Sequence, residues 1–235
     1  MTSVPMARQS SDIRPGIREA LIGLAVFGLV AYGVPPLLRM TGIKTDNPVS
    51  YGLALGALSG IAGIVAVAAA TSVHIRALKP FGVRWAGWKP MFIGVGVGVV
   101  VWIVARGLVT VYTLVFGVPE NVQATYDTAA QGGVLALILS TLFLGVLTPI
   151  GEELLFRGVV ANVLQRWGWV SGVLGSALVV AVFHGLNGFN IAQITAFVEG
   201  IAAAELFRRT GSIWPGVMVH VTNNAIGNIL IGTLT

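Results

Sequence analysis

Apolar runs separated by short polar or basic segments recur along the whole chain and predict an all-α, polytopic bundle of membrane helices. The first run, residues 20–38, is too long for a signal-peptide core and lacks a small-x-small cleavage site. It contains Pro35-Pro36, where a kink is expected. A polar turn through Lys44, Asp46 and Pro48 leads to a second span, 51–73, rich in Gly and Ala as packed membrane helices are. A third span covers 91–116. The fourth begins near Val134; carried on to Arg166 it would be about 48 Å long at 1.5 Å per residue, too long for one straight crossing, and Pro149 offers a kink. Three further spans follow at 170–186, 189–207 and 213–234.

Composition agrees with that pattern. Of 235 residues 55% are hydrophobic and only 10% charged, with mean hydropathy +0.87, too few charges to cover a soluble globule of this size. Lys and Arg number 14 against 9 acids, but the excess sits in short loops, where it sets topology and does not indicate nucleic-acid binding. Arg8, Arg14 and Arg18 mark a tail at 1–19, ahead of a single transmembrane domain at 20–235. His74, Arg76, Lys79, Arg84 and Lys89 form a basic loop with Trp85 and Trp88 as interfacial anchors, His74 being an exposed loop histidine. Arg166 and Arg208-Arg209 complete the basic set, whereas 118–133 carries Glu120 and Asp127 and no basic residue. Placing every basic loop in the cytoplasm gives about seven spans, with the N-terminus inside and the C-terminus outside. The absence of cysteine excludes disulfides, thiolate zinc sites and cysteine nucleophiles.

Against this background the charges in Glu152-Glu153-Leu154-Leu155-Phe156-Arg157 require explanation, because an ionisable side chain at membrane depth costs at least ~2.5 kcal/mol. On a helix Glu153 and Arg157 share a face at i and i+4, acid N-terminal to base, and can neutralise each other. Glu152 points about a quarter turn away and is left without a counter-ion. A carboxylate so placed in apolar surroundings accepts a proton more readily, as a general base working near neutrality requires. The competing reading is a helix end at the membrane surface with solvated acids.

Two of the three histidines lie in late apolar segments: His184, and His220, which shares a helix face with Asn224. Counted from the basic ends at 1.5 Å per residue, His220 is about 16 Å deep, His184 roughly 20 to 27 Å, and Glu152 about 21 Å if Arg166 marks the interface. The three meet only if Arg157 is buried with its Glu153 partner. Arg106, in the third span, either faces the bundle interior or marks where the lipid-exposed part ends. Glu199 reads as an interhelical partner, with Arg106 as one candidate, and Glu205 as a partner of Arg209 at i and i+4.

Taken in order, Glu152-Glu153-x-x-x-Arg157, His184 and His220-x-x-x-Asn224 resemble the three motifs of the CPBP intramembrane proteases, the group of CAAX prenyl proteases and bacteriocin-processing or self-immunity (Abi) proteins. The resemblance covers about 145–228, including Arg209-Thr210-Gly211-Ser212-Ile213-Trp214-Pro215. The second motif departs from the usual Phe-x-x-x-His: the Phe position is Val180, and Phe183 directly precedes His184. The resemblance implies an integral protein of a bacterial cytoplasmic membrane, in contact with lipid. Its substrate would be a C-terminal CAAX-like or membrane-proximal peptide, with or without a lipid. In that role Glu152, assisted by His184, activates water for attack on a peptide carbonyl; His220 and Asn224 steady the oxyanion; Glu153 and Arg157 support the site.

Rival chemistries lack residues. There is no His-Glu-x-x-His and no Gly-x-Ser-Gly, and Asp12, Asp46 and Asp127 lie outside the spans, which removes a serine nucleophile and an intramembrane aspartate pair. Zinc remains the alternative, since Glu152, His184 and His220 would make a His₂Glu set with a place for water and Glu153 as base. The metal-free mechanism is preferred, because Arg157 favours the charged form of Glu153 and no acceptor that would orient His184 is near it in sequence. Outside proteolysis, a non-catalytic immunity or scaffold protein would keep the same fold. A small transporter could use buried Glu, His and Arg as a proton relay, but no inverted repeat is visible.

Overall fold

The computed structural model describes residues 14–73, 75–186 and 188–234. Arg8 and His74 lie outside the described residues. Every described element is helical. Helix α1 is Ile17–Met40 and runs through Pro35 and Pro36; α2 is Pro48–Val73, α3 Trp88–Phe116 and α4 Val134–Trp167. These are followed by α5 (Val170–His184), α6 (Ala192–Thr210) and α7 (Trp214–Leu234). A single turn, Ile43–Asp46, and a short helix, Ala124–Ala130, fill the connections.

Among the described residues, α1 to α4 are long and apolar enough to cross a membrane, while α5 is apolar but shorter. Helices α6 and α7 are less apolar: α6 ends in Glu205 and Arg208-Arg209, and inward they carry Glu199 on one and His220, Asn223 and Asn228 on the other, these four all buried. The burial pattern is that of a protein in lipid. Phe92, Leu114 and Val134 are more than two-thirds exposed (71%, 80% and 78%), whereas Glu152, Glu153 and Arg157 are enclosed.

Helix α2 packs against α1 on one side and α4 on the other, and α7 packs against α3, α4 and α6. The α2–α4 contact is made backbone to backbone: a Cβ on Gly60, Gly63 or Gly151 would run into the facing main chain, and Thr148 Oγ1 donates to the Gly56 carbonyl at 2.8 Å. On the other side of α4, Phe27, Phe156 and Phe183 meet edge-on with centroids 5.4 to 5.9 Å apart, over a core that includes Val180. The aromatic ring missing at position 180 is thus supplied from 183.

The bundle has two distinct ends. At one, Arg166 donates to the Pro15 carbonyl at 2.7 Å, Asn162 to that of Pro80 at 2.8 Å, and Arg84 to those of Thr210 and Gly211 at 2.9 and 2.8 Å. This end gathers the basic segments around Arg14, Lys79, Arg84, Arg166 and Arg208-Arg209. At the other end the helix Ala124–Ala130 packs against α2 and α7. Arg106 is exposed on α3, so it faces away from the bundle interior.

Helix α4 is not regular along its length. It widens into π-helical turns at Phe143–Leu147 and Phe156–Ala161, features that concentrate at functional sites. In the first, the Thr148 N–H bonds to Phe143 O, which shifts the demand of the Leu144 carbonyl onto Pro149, a residue with no N–H. A side chain from α7 supplies the missing donor, as described next.

Candidate active site

The site is built where α4, α6 and α7 meet. Helix α7 runs antiparallel to α4, and its i, i+4, i+8 face places His220 near Glu153, Asn224 near Leu144 and Asn228 near Ser140. Asn224 Nδ2 donates to the Leu144 carbonyl at 3.1 Å and so satisfies the group freed by the π-turn. Asn228 Nδ2 donates to Ser140 Oγ at 2.7 Å and to Thr141 Oγ1 at 2.8 Å.

Glu153 is fully enclosed and paired with Arg157, Oε1 to Nη1 at 3.0 Å. His220 Nδ1 stands 3.5 Å from the same carboxylate oxygen and 3.0 Å from Oε1 of Glu199. Asn223 Nδ2 donates to the other Glu199 oxygen at 3.0 Å. Four ionisable side chains from three helices therefore form one buried cluster. Gly216 makes room for it, because a Cβ there would sit 2.6 Å from Glu153 Oε2.

Glu152, on the neighbouring face of α4, has different surroundings. It is 4% exposed, and its carboxylate accepts a hydrogen bond from the Ser59 hydroxyl of α2. Burial, and next the Glu152 charge, push the phenol of Tyr126 in the helix Ala124–Ala130 up to about 12. Glu152 is therefore not free, as its spacing in the sequence suggests, but its partner is a neutral hydroxyl.

His184 closes α5. Its Nδ1 lies 3.0 Å from the Val180 carbonyl, so Nδ1–H is the donor. An acceptor that orients His184 thus exists, one helical turn back in its own backbone. Tyr32 OH donates to the adjoining Phe183 carbonyl, and Asn190 Nδ2 to that of His184 at 2.8 Å.

The set proposed for zinc does not assemble. Among the described residues, the His, Asp and Glu side chains close enough to share an ion are Glu153, Glu199 and His220, with ligand atoms within 4.8 Å of one another, and not Glu152, His184 and His220. The physical reason is the quarter turn between the two glutamates, which aims Glu153 rather than Glu152 at His220. In the assembled trio Glu153 also meets the Arg157 cation, and one Glu199 oxygen accepts from Asn223.

Asn223 and Ser59 carry no signal in the sequence, whereas Glu199 is the interhelical partner its position suggests. Glu199 pairs with His220 and Asn223, not with Arg106. Asn228 was within reach, lying four residues beyond Asn224 on the same face. Glu205 is held by Arg209 at 2.5 Å and also by Arg208 at 2.8 Å and Trp169 at 3.0 Å.

No curated protein and no solved structure matches the chain. Residues 134–226, which carry all three motifs, match the family model described as type II CAAX prenyl endopeptidase Rce1-like.

Proposed function

We propose that the protein is an intramembrane endopeptidase of the CAAX-protease type that hydrolyses a peptide bond near the membrane without a metal. The observation that carries the reading is the difference between two adjacent buried carboxylates: Glu153 lies in an ion cluster, and Glu152 faces a neutral hydroxyl. Glu152 removes a proton from water as the oxygen attacks the peptide carbonyl, and the same carboxyl then returns that proton to the leaving amine. His184, in its neutral form with Nδ1–H held by the Val180 carbonyl, accepts at Nε2 a hydrogen bond from the hydrogen that stays on that water and so aligns it.

The oxyanion is met from α7. In the buried cluster two carboxylates face one guanidinium, so a protonated His220 balances the charge and retains an Nε2–H to donate. Asn224 spends one amide hydrogen on Leu144 and keeps the second. Donors fixed in this way stabilise developing charge without reorganising at the moment of reaction. Glu153 and Arg157 hold the geometry. The substrate class is a peptide at the membrane, C-terminal and CAAX-like, with or without a lipid.

The test is purified protein incubated with a library of membrane-proximal and C-terminal peptides, products being identified by mass spectrometry and Glu152→Ala serving as control. Cleavage at a defined bond that disappears in the control supports the proposal. Equal products from both proteins would refute it. No cleavage of any peptide would favour the non-catalytic alternative.

A further inference from the structure

The basic group proposed above sits on α4, but the side chain that touches it comes from α2, a helix outside the matched segment 134–226. We infer that Ser59 is a positioning residue for Glu152, its hydroxyl holding the carboxylate in the orientation from which it takes the proton of water. The inference rests on the assignment of Glu152 as the base.

Two observations carry it. First, the Ser59 hydroxyl donates directly to Glu152 Oε1, and among the described residues this is the one side-chain hydrogen bond made to that carboxylate. A carboxylate oxygen has more than one acceptor site, so one held by a hydroxyl still accepts from water at its second oxygen. A hydroxyl also fixes the group without the charge that Arg157 brings to Glu153, so orientation is gained while the carboxylate stays reactive. Second, the place of Ser59 is fixed independently of the hydrogen bond. Gly60 and Gly63 on α2 and Gly151 on α4 let the two backbones meet, and Thr148 ties α4 to the Gly56 carbonyl. Ser59 is the neighbour of Gly60, and Glu152 is the neighbour of Gly151. The contact that locks the helices therefore brings these two side chains to the same point.

The experiment uses the full chain in detergent and a peptide cleaved in the library assay. Ser59→Ala removes only the hydroxyl and is expected to lower kcat about ten- to a hundredfold, the worth of a hydrogen bond to a charged group, with KM unchanged. Ser59→Thr keeps the hydroxyl and is expected to restore most of the rate. A residue that only packs would rank the other way, with Ala mild and the larger Thr harmful in the tight α2–α4 contact. Infrared difference spectra supply a readout that needs no substrate. The carboxyl band identified by its loss in Glu152→Gln should shift in Ser59→Ala and return in Ser59→Thr. An unshifted band, or wild-type kcat in Ser59→Ala alongside an inactive Glu152→Ala, overturns the role of Ser59 and leaves Glu152 as base. Full activity in Glu152→Ala overturns both.

Discussion

Glu152 and Glu153 are neighbours in the chain and almost equally buried, 4% and 0% exposed, yet they stand in opposite environments. Glu153 shares a cluster with Arg157, His220 and Glu199, in which a guanidinium stands against it. Glu152 has a serine hydroxyl and nearby tyrosines. A quarter turn of helix is enough to separate them, because α4 has different neighbours on each side: α6 and α7 on one, α2 on the other. Burial alone does not assign a role to an acidic residue in a membrane bundle. The charge of its partner does.

The largest effects expected are on the histidines that serve the Glu152 side and the oxyanion. His184→Ala and His220→Ala should each abolish peptide cleavage while the protein still reaches the membrane fraction; turnover near the wild-type rate in either would dissolve the proposed constellation. Next in size is Glu153→Ala, which strands Arg157 and should lower yield and thermal stability, since breaking a buried pair costs about 3 to 5 kcal/mol. Glu152→Ala should leave yield unchanged, so the pair of variants separates the two faces directly. Replacing Glu153 and Arg157 together by leucine should recover much of the lost stability, because it removes the stranded charge as well as the bridge. Equal yields for Glu152→Ala and Glu153→Ala would break the comparison.

Asn224→Ala should retain measurable activity, as the loss of one oxyanion donor is typically worth ~10² to 10³ in rate. Because Asn224 also satisfies the Leu144 carbonyl, a modest fall in melting temperature should accompany it. The smallest effect expected is that of chelators. If the Glu153 cluster neutralises itself, exhaustive chelation leaves cleavage unchanged; stoichiometric zinc whose removal abolishes activity and whose return restores it would show that the cluster holds a metal.

Much of the helix layout was legible in the chain, because a run of apolar residues long enough for a bilayer is a strong local signal. Continuation of α4 past Pro149 to Arg166 is one of the readings its apolar run allows, and the helix takes it, running to Trp167. What periodicity could not supply is register between helices. Ser59 looked like one more small residue in a Gly/Ala-rich span, and only the α2–α4 backbone contact gives it a partner. Glu199 had a face but no visible neighbour. The orienting acceptor of His184 is its own Val180 carbonyl, which a search among side chains passes over. The π-turns of α4 are likewise hidden, although Pro149 marks where a backbone donor is missing.

The central claim is that Glu152, and not Glu153, activates the water. It is tested most directly by the single-turnover cleavage rate of Glu152→Gln, normalised to folded protein and compared with wild type on one peptide. The account predicts a fall of roughly 10² to 10⁴, the usual contribution of a general base, with an unchanged melting temperature. A normalised rate equal to that of wild type would contradict it.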